Sequence, residues 1–204
     1  LTAYHAENIV VAIAGNYQKQ QIQAQLEEQL GSIPSGMPQQ LFGPLAGWEP
    51  EARELTLKKD IEQVHMCLAF PGVEQDNDAL YPISVMNNLF GGGMSSRLFQ
   101  RIREEMGAAY SVYSFPSTYT NCGTFTVYAG TSPETAQKVA EELHNQIRLL
   151  RDSGVTQEEF DMAKEQLKVS YVLGLESSSS RMSAIGRSKL LRGRAVDPQD
   201  VIRK

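Results

Sequence analysis

Hydrophobic positions along the chain switch between two spacings, and each switch marks an element. The run Asn8–Gly15, rich in Ile, Val and Ala and ending at Gly15-Asn16, predicts a buried strand. Ile22, Leu26 and Leu30 then share one face of a helix expected over Gln18–Leu30 and closed by Gly31. From Pro34 to Pro50 no period survives. Pro34, Pro38, Pro44 and Pro50 stand among glycines, so the stretch reads as a semi-extended linker, with Trp48 packing it onto a domain surface. Charged and apolar residues alternate over Arg53–Lys58, as in a strand with one wet face. In Asp60–Phe70, Val64, Met66, Leu68 and Phe70 alternate with His65, Cys67 and Ala69, which predicts a second strand. Helical spacing returns with Leu80, Ile83, Met86, Asn87 and Phe90, over Asp78–Phe90.

Beyond the middle of the chain the same logic continues. Tyr110–Phe115 and Cys122–Ala129 read as an antiparallel pair joined by Pro116–Asn121. A long helix is expected over Ser132–Ser153, with Ser132 as its cap and Val139, Leu143, Ile147 and Leu150 on its buried face. Its acidic residues come early and Arg148 and Arg151 late, as the helix dipole favours. Thr156 and Glu159 have the spacing of a capping box for a helix through Phe160, Ala163, Leu167 and Tyr171. Ser177–Ser180 marks a break or junction, a helix resumes at Ser183–Arg192, and Asp197-Pro198 opens a last one. This order predicts an α+β fold in two layers, an antiparallel or mixed sheet with helices packed on one face.

Between the Asp78–Phe90 helix and the strand at Tyr110 lies GGGMSSRLFQRIREEMGAAYSVY, Gly91–Tyr113. Three glycines can turn sharply or touch another chain closely. Ser95 or Ser96 suits an N-cap, and Leu98, Phe99, Ile102 and Met106 give the next helix a buried face. Gly107 suits its end. Arg101 and Glu105 form a surface pair, while Arg103 borders the apolar stripe. A guanidinium at a helix end and a phenol on the following strand can together hold a peptide carbonyl or a developing oxyanion. The same residues also suit a plain helix–turn–strand corner with a solvated arginine and a packed tyrosine. The glycines lack the spacing of a phosphate loop.

Composition narrows the partners. A net charge of −5, with no basic stripe interleaved with aromatics, argues against nucleic acid. No apolar run approaches the roughly 18 residues that span a bilayer, so no membrane partner and a cytoplasmic location are the expectations. Cys67 and Cys122 lack metal-ligand spacing and read as small buried hydrophobes rather than disulfide partners.

The stretch FGGGMSSRLFQRIREEMGAAYSV, with NIVVAIAGN, IEQVHMCLAFPG and SSRMSAIGRSKLLRG around it, resembles the second half of the pitrilysin-type zinc peptidases. That family includes insulinase and the mitochondrial processing peptidases. The resemblance covers nearly the whole chain and implies a processing-peptidase-like metallohydrolase half. It also implies that an arginine and a tyrosine seven residues later reach into the active site of the first half. Here these are Arg103 and Tyr110, the expected catalytic residues, with Arg97 a weaker candidate. Tyr110 would donate to the tetrahedral intermediate and Arg103 would grip a substrate carbonyl. Gly91, Gly92 and Gly93 are the candidate substrate-binding residues. The family's zinc is held by a His-x-x-Glu-His pair, and His5, His65 and His144 contain none. Zinc is therefore expected in the intact enzyme but not on this chain. The implied partners are a peptide substrate and the N-terminal catalytic half of the same chain or a partner subunit, with a homodimer also open. A non-catalytic scaffold or substrate-binding subunit is the alternative. On the family's repeat, 1–35 would close the preceding domain, 36–51 would be a linker, and 52–204 a C-terminal half cut short at its end. Asn8–Gly15 is then expected to dock as a strand on the sheet of the second half, in the same molecule or swapped between two.

Overall fold

Alternation in the middle of the chain does make strands. The computed structural model describes residues 4–37 and 51–203. Strand β1 (Val64–Pro71), strand β2 (Ser111–Thr118) and strand β3 (Gly123–Thr131) form one sheet in the order β1-β3-β2. Both pairings are antiparallel, with Cys67 and Tyr113 facing Tyr128 across the ladders. The sheet is thus purely antiparallel, not mixed.

Helix α1 (Lys19–Leu30), helix α2 (Leu80–Gly91) and helix α3 (Ala136–Ser153) are interleaved with the strands, and α4 (Gln157–Gly174), α5 (Ser178–Arg192) and α6 (Pro198–Arg203) follow. The α+β expectation therefore holds. The chain divides into two compact units, one of residues 45–167 and one of residues 1–44 with 168–204.

The core lies in the 45–167 unit. Side chains at every second strand position, Val112 on β2 and Phe125, Val127 and Ala129 on β3, meet Phe90 of α2 and Val139 and Leu143 of α3. Met66 and Leu68 of β1 pack against the same cluster. Phe90 and Ile102 are essentially fully buried, and truncating a residue like Phe90 to alanine costs about 3–5 kcal/mol. The other sheet face carries His65, Cys67, Tyr113, Phe115 and Tyr128, with Tyr113 and Tyr128 rings 4.8 Å apart. Cys67 is exposed on that face and Cys122 half-buried; both are free, so the reading of Cys67 as a buried hydrophobe is corrected. Its position in the alternation, opposite in phase to Met66 and Leu68, is the reason.

Helix signals were obeyed where side chains could reach backbone donors. Thr156 and Glu159 form the capping box: Thr156 N–H donates to Glu159 Oε2 at 2.8 Å and Glu159 N–H to Thr156 Oγ1 at 3.2 Å. Ser177 caps α5 by accepting from Ser180 N–H at 3.3 Å, and Pro198 occupies the first position of α6. Helix α3 begins at Ala136, four residues after the expected cap; Ser132 instead opens a turn in which Thr135 N–H donates to its carbonyl at 3.2 Å.

Two strand expectations fail. Asn8–Gly15 is irregular chain after a 3₁₀ turn (Ala6–Asn8), and the sheet takes no strand from it. Arg53–Lys58 is likewise irregular. Alternation makes a segment suitable for a sheet, but strand backbone persists only where a neighbouring ladder accepts its N–H and C=O groups. Pro38, Pro44, Trp48 and Pro50 lie outside the described residues.

Candidate functional site

The glycine run owes its composition to space rather than to backbone handedness. Gly91 closes α2 and is buried, and a Cβ there would lie 2.5 Å from Ser114 N and Oγ on β2. A Cβ on Gly92 would meet Asn88 Cα at 2.7 Å, whereas one on Gly93 would meet nothing within 4 Å. None of the three has a positive φ, so the left-handed region open to glycine is not used here. Gly92 and Gly93 are exposed.

The helix expected after the glycines is a π-helix, Phe99–Glu105, in which Met106 N–H reaches back to the Arg101 carbonyl at 3.1 Å. Such wide turns occur mostly as single-turn insertions in α-helices and are frequent at functional sites. Leu98 and Ile102 remain fully buried, so the apolar stripe survives the change of pitch. No serine caps it, for Ser96 Oγ is buried and has no hydrogen-bond partner among the described residues. Gly107 ends the segment with φ +55, and Ala108 N–H donates to the Ile102 carbonyl at 3.0 Å.

The three arginines of this segment have different company. Arg97 Nε and Nη2 donate to Glu159 Oε1 and Oε2 at 2.8 and 2.7 Å, and Nη2 also to the Gly154 carbonyl at 3.1 Å. The Arg97 guanidinium holds the Glu159 carboxyl down to about 2, overcoming the upward push of burial. Arg101 bridges Glu105 at 2.7 Å and Glu142 of α3 at 2.9 Å. Arg103 has no ion pair or hydrogen bond among the described residues. Its guanidinium lies over the Phe99 ring, 5.0 Å from the centroid, and it is exposed.

Tyr110 follows directly. Its N–H donates to the Gly130 carbonyl at 2.8 Å, and the residue is 60% exposed. The packed-tyrosine reading is thereby excluded for its side chain. Two residues upstream, the Ala108 carbonyl accepts from Thr131 Oγ1 at 2.5 Å and Thr135 Oγ1 at 3.0 Å. Arg103 and Tyr110 therefore flank one turn, both anchored through backbone and both with free polar ends.

Two of the three histidines are engaged through Nδ1. His65 Nδ1 is hydrogen-bonded to the Tyr128 hydroxyl at 2.7 Å, and His144 Nδ1 to the Ala140 carbonyl of its own helix at 2.8 Å. Among the described residues no group of three or more His, Cys, Asp or Glu could hold a metal ion. No helix there is long and apolar enough to cross a membrane.

Sequence reasoning found Glu105 as a partner of Arg101 and missed the other partners of the arginines. Phe99, four residues before Arg103, was discoverable from spacing. Glu159, 62 residues from Arg97, was not: its capping-box position signalled a helix start and nothing about what else its second oxygen meets.

The family described as Peptidase M16 inactive domain matches residues 2–167. The uncharacterized zinc protease YmxG of Bacillus subtilis is 39% identical over 202 residues, 98% of this chain and 48% of its own length. The crystal structure of a peptidase M16 inactive domain from Pseudomonas fluorescens is 25% identical, with a TM-score of 0.63 over 69% of this chain and 34% of that chain. A chain in complex III2 from Candida albicans shares the fold, with a TM-score of 0.75 at 17% identity over 93% and 46% of the two chains. The chain spans about half the length of the curated relatives it matches.

Proposed function

This chain belongs to the family of peptidase M16 inactive domains, and we propose that it is the substrate-gripping, transition-state-assisting half of a zinc-dependent endopeptidase or oligopeptidase that cleaves extended peptides. Its partner is the catalytic half, in the same longer chain or in another subunit, and that half holds the zinc. His65 and His144 are engaged through Nδ1, and among the described residues no group of three or more His, Cys, Asp or Glu could hold a metal ion, so no step is assigned to a metal on this chain.

One observation carries the reading. Of the three arginines after the glycines, Arg97 and Arg101 are paired with carboxylates, and Arg103 alone has no carboxylate or hydrogen-bond partner among the described residues. A guanidinium over an aromatic face is held in orientation by the ring quadrupole while its edge stays available to an acceptor. An extended peptide offers such acceptors as carbonyls. Tyr110, with its backbone pinned and its phenol exposed, suits the other role, donating O–H to the oxygen that gains charge when the scissile carbonyl is attacked. Gly92 and Gly93, exposed and without side chains, allow close approach of a substrate backbone beside them.

A grip used throughout the reaction and a donor used only at its peak have different kinetic signatures. Arg103→Ala in the intact enzyme is expected to raise KM for an extended peptide as well as lower kcat. A variant with parental KM and kcat would remove the grip from the account and leave the scaffold reading.

A further inference from the structure

We infer that Arg97 and Glu159 are a positioning pair: they clamp the front of the segment whose last turn carries Arg103, and so set where that guanidinium sits. The inference rests on the proposed role of Arg103.

The front of this segment needs such a device. Its serines supply no side-chain cap, and Ser96 Oγ is buried without a partner. The rear is closed by backbone at Gly107 and by the Ala108-to-Ile102 bond. Between the ends, Leu98 and Ile102 fasten one face to the core, and Arg101 ties the middle to Glu142 of α3 at 2.9 Å. Arg97 supplies the tie at the front. Its planar fork meets Glu159 through two parallel bonds of 2.8 and 2.7 Å, a geometry that tolerates little rotation. A third bond, to the Gly154 carbonyl, ties the same guanidinium to the turn after α3.

Glu159 is fixed on its far side as well. Its Oε2 accepts from Thr156 N–H at 2.8 Å and Thr156 Oγ1 at 3.0 Å, so it is rooted in the first turn of α4. The clamp thus joins three places, the start of the π-helical segment, the end of α3 and the start of α4. Its side chains are only 23% and 29% exposed, unlike Arg101 and Glu105 at 47% and 59%. Solvent competes less for partly buried charges, so this pair outlasts an exposed one. Arg97 spends its Nε and Nη2 on Glu159 and Gly154 inside the fold and works through Arg103, six residues on.

A double-mutant cycle in the intact enzyme separates positioning from plain structural support. Arg97→Ala is expected to lower kcat/KM on the order of 10²-fold, as a misplacement of about 1 Å can. In an Arg103→Ala background the same substitution is expected to change kcat/KM by less than about twofold, although Tm falls equally in both backgrounds. Arg97→Lys, which keeps the charge but not the fork, and Glu159→Gln give intermediate losses and guard against misfolding of the alanine variant. Equal loss of activity with and without Arg103, or no loss with Arg103 present, overturns the inference. Parental activity of Arg103→Ala alone is a distinct result, which sinks the functional proposal on which the inference rests.

Discussion

The backbone N–H of Tyr110 donates to the Gly130 carbonyl at 2.8 Å, tying the residue just before β2 to the end of β3. The bond fixes the Tyr110 backbone while leaving its phenol in solvent, the arrangement that a preorganised donor requires. It works together with two threonines that hold the carbonyl of Ala108 from the same side.

Thr131→Val tests that anchor. Thr131 is fully buried, and its hydroxyl serves both the Ala108 carbonyl and Thr135 Oγ1. Valine keeps the shape and removes the donor, so stability is expected to fall by about 1–3 kcal/mol. Thermal unfolding of the two proteins reads this out, and an unchanged Tm would show that the threonine network contributes nothing.

The glycine run offers a paired comparison. A methyl group at Gly91 must displace the β2 backbone at Ser114, which costs about 1–3 kcal/mol as overpacking does. Gly93 faces open space, and its alanine variant is expected to stay within about 0.5 kcal/mol of the parent. If the two substitutions prove equally damaging, crowding at Ser114 is not what requires glycine at 91.

Acid stability follows from Glu159. Its carboxyl sits at about 2 in the folded chain, below the ordinary 4.5, chiefly because Arg97 hydrogen-bonds its ionised form. A depressed folded value means the unfolded chain binds the proton more readily. The contribution is therefore full above about pH 4.5 and is lost as pH falls through about 2. Glu159→Gln is expected to cost about 1–2 kcal/mol at pH 7, allowing for partial solvent screening, with the deficit shrinking towards pH 2. Unfolding curves from pH 7 to pH 2 test it; a deficit that grows on acidification has the wrong sign.

Much of this was legible in the sequence, and the failures share a cause. The capping box at Thr156–Glu159, the helical stripe from Val139 to Leu150 and the alternation of β1 all depend on neighbours within a few residues, and all appear as read. Asn8–Gly15 and Arg53–Lys58 had patterns suited to strands, but a strand exists only through a distant partner ladder, which local spacing does not encode. The π-pitch of Phe99–Glu105 was hidden because Leu98 and Ile102 are four apart and stay buried whether the turn is tight or wide. At the candidate site, Arg103 and Tyr110 were identified by resemblance. What the fold adds is the contrast among the arginines, since the carboxylates that occupy Arg97 and Arg101 come partly from α3 and α4.

The most direct measurement is the steady-state kinetics of Tyr110→Phe in the intact enzyme on an extended peptide. The phenol has no hydrogen-bond partner among the described residues to lose, so folding and Tm should be unchanged. A donor used at the developing oxyanion predicts a fall in kcat of about 10²–10³-fold with KM nearly constant. A Tyr110→Phe enzyme that turns over the peptide at the parental rate contradicts the account.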